Sequence, residues 1–127
     1  MKKVHLIFGI LVVVVFLLTG QYMDKFYNHL VGMAEGPRLL YRTRHIFILL
    51  SGLLHLVIGA YFVYRVEAWQ RTFQLLGSLL TFVASFLFII AFFYEPNLGT
   101  LRTSLSHWGA YTITAGALLH VLSGVRN

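Results

Sequence analysis

Four long apolar stretches fill the chain of 127 residues almost from end to end, and they constrain its fold more than any other feature. They cover residues 4–20, 46–64, 72–93 and 105–122. Each is close to the roughly 20 helical residues that cross the hydrocarbon core of a bilayer. Because a backbone in lipid must satisfy its own hydrogen bonds, such spans form helices. The sequence therefore predicts an all-α membrane protein, a four-transmembrane-helix up-down bundle that forms a single domain over residues 1–127.

Composition narrows the classes of protein to which the chain can belong. Charged residues make up only 11% of the chain, against about 25% in a typical soluble domain. The chain has no cysteine, which excludes disulfides, thiolate metal sites, iron–sulfur clusters and covalently attached haem. Its formal net charge is +6, but the basic residues lie mostly at the ends of the spans, where they can snorkel to lipid headgroups. We therefore expect the lipid bilayer, and no nucleic acid, as the partner of these charges.

Four spans place both termini on the same side of the membrane. Lysine and arginine residues number five on each side, so the positive-inside rule does not decide the orientation by count. Lys2 and Lys3 lie beside the first span, which usually dominates, and they favour N- and C-termini in the cytoplasm at a bacterial inner (plasma) membrane. The ten basic residues counted are Lys2, Lys3, Arg65, Arg71 and Arg126 on one side, and Lys25, Arg38, Arg42, Arg44 and Arg102 on the other.

The one sizeable connection, residues 21–44, is predicted to be a surface loop. It contains apolar residues at helical spacing, which indicates a short amphipathic segment lying on the membrane surface. The pair Gly36-Pro37 is typical of a helix start. The second helix is therefore expected to begin near Pro37, ahead of its apolar span.

Small and polar residues at steps of three and four indicate the faces of membrane helices that pack against each other. Spans two, three and four each carry such a stripe, whereas span one is almost uniformly apolar and is expected to pack outside the polar interior. The stripes are His45, Gly52, His55 and Gly59 in span two; Gln74, Ser78, Thr81 and Ser85 in span three; and Gly109, Thr112, Gly116 and His120 in span four.

Three of the six histidines, His45, His55 and His120, lie on these inward stripes. An ionisable residue inside a membrane indicates function by default, and neutral histidine is a good ligand of haem iron. The residue types and faces resemble those of membrane b-type cytochromes, in which parallel helices supply facing histidines. The resemblance implies one b-type haem held by His55 and His120, with electron transfer to or from a quinone.

In the haem interpretation, Gly52, Gly59 and Gly116 leave room for the porphyrin, and His45 lies nearby on the same stripe as His55. Two other interpretations stay open. The histidines can be core residues hydrogen-bonded to hydroxyl groups or to the backbone, or they can form a proton relay or a quinone site. His5, His29 and His107 are assigned no such role.

A second candidate site lies at the start of span two, where Arg38, Arg42 and Arg44 are close together in the sequence. Guanidinium groups bind carboxylates and phosphates through paired hydrogen bonds. The three arginines therefore predict a site for an anion or for an anionic lipid headgroup. Snorkelling, without a specific ligand, is the plain alternative.

The acidic residues argue against catalysis, because all four lie in loops or at span ends: Asp24, Glu35, Glu67 and Glu95. No carboxylate within a span is available to orient a histidine or to carry a cation. The first functional hypothesis is therefore a non-enzymatic membrane protein that acts through partners. It would be an accessory or structural subunit of a membrane complex, or a homo-oligomer. Haem-based electron transfer and anionic lipid binding are the alternatives, and no metal other than haem iron is expected.

Overall fold

A computed structural model describes residues 1–100 and 103–125 as a bundle of α-helices, and these residues contain no strand. The helices are α1 (Lys2–Tyr27), α2 (Glu35–Tyr61), α3 (Ala68–Tyr94) and α4 (Ser104–Ser123), with short 3-10 turns at Asn28–Leu30 and Glu95–Asn97. The predicted helical bundle is confirmed. Arg102 and Arg126, which enter the charge count above, lie outside the described residues.

Three helices are long and apolar enough to cross a membrane, each taken with its 3-10 extension where it has one. These candidate spans are Lys2–Leu30, Glu35–Tyr61 and Ala68–Asn97. Helix α4 has 20 residues, but it also carries His107, Thr112, Thr114 and His120, which lower its apolar character. The described residues therefore contain three candidate spans, where the sequence predicted four.

The predicted surface loop 21–44 is mostly helical. Helix α1 continues to Tyr27 and α2 begins at Glu35, so only residues 28–34 lie between them. The chain reverses direction through Asn28, His29 and Leu30, whose φ angles of 45°, 57° and 65° are left-handed and end the helix. The Leu30 side chain is buried in the core, which fixes this turn against the bundle.

Glycine residues allow close approach between α1 and α2 and between α3 and α4. A Cβ atom at Gly59 of α2 would lie 2.7 Å from Leu6 Cγ of α1. A Cβ atom at either Gly77 of α3 or Gly116 of α4 would lie 2.8 Å from the carbonyl oxygen of the other glycine. The expectation that span one packs outside the polar interior is therefore wrong, because α1 packs closely along α2 and places His5 inside the bundle.

The start of α1 and the end of α4 lie at the same end of the bundle, which we call the terminal end. The amide of Gln70, in the first turn of α3, donates a hydrogen bond of 3.0 Å to the carbonyl oxygen of Val125 just after α4. The N-terminal nitrogen of Met1 lies 3.4 Å from the hydroxyl oxygen of Tyr64, which follows α2. The α1–α2 and α3–α4 turns lie at the opposite end.

Candidate functional site: a buried histidine chain

Three histidines from three helices meet inside the terminal end of the bundle. The Nδ1 atoms of His5 and His55 lie 2.8 Å apart. The other ring nitrogen of His5, Nε2, lies 2.9 Å from the Ser78 hydroxyl oxygen, which is also 3.2 Å from Nε2 of His120. His5, His55 and Ser78 are fully buried. We call these four residues the histidine chain.

A backbone carbonyl sets the tautomer of His55. The Nε2 atom of His55 lies 3.3 Å from the carbonyl oxygen of Thr81 and 3.2 Å from the hydroxyl oxygen of Ser85. The Ser85 hydroxyl donates its hydrogen to the Thr81 carbonyl oxygen at 3.2 Å, so neither neighbour donates to His55. Nε2 of His55 therefore carries the hydrogen, and Nδ1 of the neutral ring is an acceptor. His5 must therefore donate from its own Nδ1.

The same reasoning assigns the donor and the acceptor in the other hydrogen bonds of the histidine chain. Since the neutral His5 ring donates from Nδ1, its Nε2 atom accepts a hydrogen bond from the Ser78 hydroxyl group. The Ser78 oxygen in turn accepts from Nε2–H of His120. All hydrogen bonds of the chain thus run in one direction, from His120 through Ser78 and His5 to His55.

Aromatic rings surround the histidine chain. The Phe82 ring centroid lies 5.0 Å from that of His5 and 4.7 Å from that of His55. Phe8 contacts the His55 ring edge-on at 4.8 Å, and Phe62 lies 6.2 Å from both His5 and His120. In such apolar surroundings hydrogen bonds gain strength and an unpaired polar group is costly. The histidine chain, with one residue from each helix, therefore connects α1, α2, α3 and α4 through hydrogen bonds.

The haem interpretation expects His55 and His120 to face each other across one iron atom. In the structure they do not, because His5 and Ser78 lie between them in the hydrogen-bonded chain. Both ring nitrogens of His55 are already hydrogen-bonded. Iron ligation would require one of these bonds to open. The geometry therefore favours hydrogen-bonded core histidines over haem ligands.

The three glycines assigned to a porphyrin slot lie instead at contacts between helices. Gly59 faces Leu6, and Gly116 faces Gly77, as described above. A Cβ atom at Gly52 would lie 3.1 Å from methyl groups of Val12 and Val13 on α1. A porphyrin ring does not fit beside these glycines in this arrangement, because residues of the neighbouring helices already occupy the space.

His45, the third inward histidine, lies apart from the histidine chain. Its Nδ1 atom is 2.9 Å from the Thr19 hydroxyl oxygen, and its ring stacks on Phe16 at a centroid distance of 4.1 Å. It therefore joins α2 to α1 nearer the opposite end of the bundle.

The sequence did not reveal the role of His5, which lies between His55 and Ser78 in the histidine chain. The signal was the spacing of His5, Gly9, Val12 and Thr19, which recur at steps of four, three and seven and are the buried residues of α1. That spacing defines one helix face. The uniform apolar character of the rest of the helix obscured it.

The arginine cluster at the start of α2 is divided by the fold. Arg44 is buried, and its Nε atom donates a hydrogen bond of 2.6 Å to a carboxylate oxygen of Glu95. The same carboxylate accepts bonds from the Ser106 backbone N–H at 2.9 Å and from the Ser106 hydroxyl at 2.6 Å. Arg44 therefore belongs to a link between α2, the 3-10 turn after α3, and α4, and it does not join Arg38 and Arg42.

Arg38 and Arg42 remain at the surface, where they line a recess of about 230 Å³ together with Glu35 and Leu39. An Nη atom of Arg38 lies 3.7 Å from a carboxylate oxygen of Glu35, which is itself exposed. Such an exposed pair is weak and leaves the guanidinium group free to bind another anion.

The helices and their buried polar groups together define a class: an apolar four-helix bundle with a histidine chain at the terminal end and an Arg–Glu link at the opposite end. The sequence matches no protein-family model, and neither the curated proteins nor the solved structures show a significant similarity to it.

Proposed function

We propose that this chain is a four-span integral membrane protein that acts through partners. It would serve as an accessory or structural subunit of a membrane complex, or as a homo-oligomer, in a bacterial inner membrane with both termini in the cytoplasm. Three apolar helices support the membrane location. Helix α4 serves as the fourth span in this proposal, because the interior of the bundle shelters part of its polar side.

The observation that carries the proposal is the contrast between the inside and the outside of the bundle. Inside, the histidine chain and the Arg44–Glu95 link bond to groups of the same bundle. Outside, apolar side chains are exposed on every helix, and α1 is the least buried of the three candidate spans. An interior occupied by its own hydrogen bonds leaves the outer faces as the place where the protein can act, and α1 offers the most apolar face for lateral contacts.

The absence of cysteine from the chain allows a direct test in native membranes. Single cysteines placed along the outer face of α1, for example Leu17→Cys, should form crosslinks to a partner chain or to a second copy. Ala84→Cys, at a fully buried position of α3, is the matched control and should not crosslink. A protein that stays monomeric in several mild detergents, with no crosslink from any outer position, would contradict the proposal.

The topology has a test of its own. Reporter fusions at Trp69, in the first turn of α3, and at Gly99, after its end, should report opposite sides of the membrane. Reports from the same side would show that α3 does not cross the membrane. That result would overturn the four-span arrangement, whatever the partners are.

A second candidate function is the binding of anionic lipid headgroups at Arg38 and Arg42, and the recess that these residues line supports it. Phosphatidylglycerol should raise the unfolding temperature of the protein. Arg38→Gln combined with Arg42→Gln should remove that gain. Lys25→Gln is the control, because Lys25 is an exposed basic residue in the last turn of α1, at the same end of the bundle. An equal gain in the double variant would refute the site.

A further inference from the structure

The link between α2 and α3 and the first turn of α3 bring two arginines to a second recess, at the terminal end of the bundle. Arg65 and Arg71 line this recess, which has a volume of about 260 Å³. Its other walls include Phe62, Tyr64 and Gln74. The recess lies next to the histidine chain, because Phe62 contacts both His5 and His120.

Arg65 has no acceptor for a buried hydrogen. Its Nε atom is buried and, within the described part of the chain, has no hydrogen-bond partner. The ion pairs among the described residues use Asp24, Glu35 and Glu95, and none of them involves Arg65 or Arg71. The remaining acid, Glu67, is exposed. Two arginines without a counter-charge among the described residues therefore line one recess, together with the N-terminal residue Met1, and this cluster of positive charge favours an anion.

Hydrogen bonds to the backbone hold this recess in shape. The Gln74 amide nitrogen donates a bond of 2.7 Å to the Val63 carbonyl oxygen, and its amide oxygen lies 3.4 Å from the Arg65 backbone nitrogen. The Arg65 side chain passes over the end of α4, with an Nη atom 3.1 Å from the position that a Cβ atom of Gly124 would occupy. A small residue at this position leaves space for the guanidinium group.

We propose that Arg65 and Arg71 bind a phosphate-bearing anion in this recess. The planar guanidinium group presents paired N–H donors that match phosphate oxygens, and neither arginine has an ion-pair partner among the described residues. The ligand is either the headgroup of an anionic phospholipid or free inorganic phosphate. The recess lies between the end of α2 at Tyr61 and the first two turns of α3, at the ends of two candidate spans, which is the level of lipid headgroups in the proposed membrane arrangement.

Thermal unfolding of the full-length protein tests the site, and Arg38→Gln/Arg42→Gln serves as the background so that the opposite end does not contribute. One arm adds inorganic phosphate in detergent, with sodium chloride at equal ionic strength as the reference. The other compares nanodiscs of phosphatidylcholine with nanodiscs that also contain phosphatidylglycerol. A rise in unfolding temperature with phosphate identifies the free anion, and a rise with phosphatidylglycerol alone identifies the lipid.

Arg65→Gln should weaken the apparent affinity by about tenfold or more, which is the effect of losing one strong charged hydrogen bond. Without ligand, this variant should be no less stable than its background, because the lost N–H had no partner. Arg65→Lys keeps the charge but lacks the planar fork, so it should also bind more weakly. If Arg65→Gln does not fold, Arg65→Lys provides the same comparison.

Lys3→Gln is the matched control, because it removes one exposed positive charge at the same end of the bundle. It should keep the full response to phosphate or lipid. Equal losses in Lys3→Gln and Arg65→Gln would mean only a general attraction between charges and would overturn the site, as would the absence of any response in both arms. Anion binding in this recess requires only the folded bundle, so the result of this experiment does not depend on the protein partners proposed for the outer faces.

Discussion

The Nδ1 atoms of His5 and His55 lie 2.8 Å apart in a fully buried contact between α1 and α2. Two nitrogens at this distance share one hydrogen, so one ring must donate and the other must accept. The tautomers of the two histidines are therefore linked. Because the Thr81 carbonyl oxygen accepts from His55 Nε2, the donor in this pair is His5.

Removing His5 should destabilise the bundle more than removing an exposed histidine. In His5→Ala, the Nδ1 atom of His55 and the Ser78 hydroxyl both lose a buried partner, which should lower the free energy of unfolding by about 2–4 kcal/mol. Unfolding in mixed detergent measures the change. His107→Ala, at an exposed position of α4, is the control and should cost under about 1 kcal/mol. Equal losses in the two variants would contradict the central role of His5.

Nitrogen NMR of histidine-labelled protein should show the order of the hydrogen bonds directly. At a pH at which the rings are neutral, we expect protonated Nε2 in His55, protonated Nδ1 in His5 and protonated Nε2 in His120. In Ser78→Ala the tautomer of His120 should no longer be fixed, while His55 keeps its own. A His5 ring that carries its hydrogen on Nε2 would contradict the proposed direction.

Glu95→Gln should be strongly destabilising, because it leaves the buried Arg44 guanidinium group without a counter-charge. We expect a loss of about 3–5 kcal/mol in the free energy of unfolding. Glu35→Gln makes the same chemical change at an exposed pair and should have little effect. Arg44→Met combined with Glu95→Gln removes the unpaired charge and keeps an amide oxygen as acceptor for Ser106, so it should recover part of the loss. If this double variant were less stable than Glu95→Gln alone, the unpaired Arg44 charge would not be the source of the loss.

Gly116→Ala should separate α3 from α4. The new methyl group would lie 2.8 Å from the Gly77 carbonyl oxygen and 3.1 Å from the Thr81 backbone nitrogen, and neither backbone atom can rotate away. We expect a loss of about 1–3 kcal/mol, measured by thermal or detergent unfolding. Ala115→Leu adds more volume at the exposed neighbouring position and should be tolerated. A Gly116→Ala protein as stable as the control would mean that the helices do not approach so closely.

The helices could be predicted because their signals are local. Long apolar runs and polar stripes at steps of three and four depend only on residues within a few turns of each other. Within the predicted loop 21–44, the expected helix start near Pro37 lies two residues from the observed start of α2 at Glu35. The end of α1 was predicted too early, at the end of its apolar run, because Tyr22, Met23 and Tyr27 pack against the core and extend α1 by about two turns.

The partners of the buried polar groups could not be predicted in the same way. Glu95 lies next to a proline in a turn, which in the sequence is typical of an exposed acid, yet the fold buries it against Arg44. The sequence placed His55 and His120 on inward faces, and it did not show that His5 connects them. The rotation of each helix about its axis decides such contacts, and close approach at glycines determines that rotation.

The amino-acid sequence by itself determined that this chain forms apolar helices with polar stripes, because the length and period of a helix follow from its own backbone and side chains. Only the tertiary structure decided that residues fifty positions apart, His5 and His55, share a hydrogen, and that Arg44 and Glu95 pair across the bundle. The physical reason is distance. A hydrogen bond forms only within about 3 Å, and that separation depends on how four helices approach and rotate against each other.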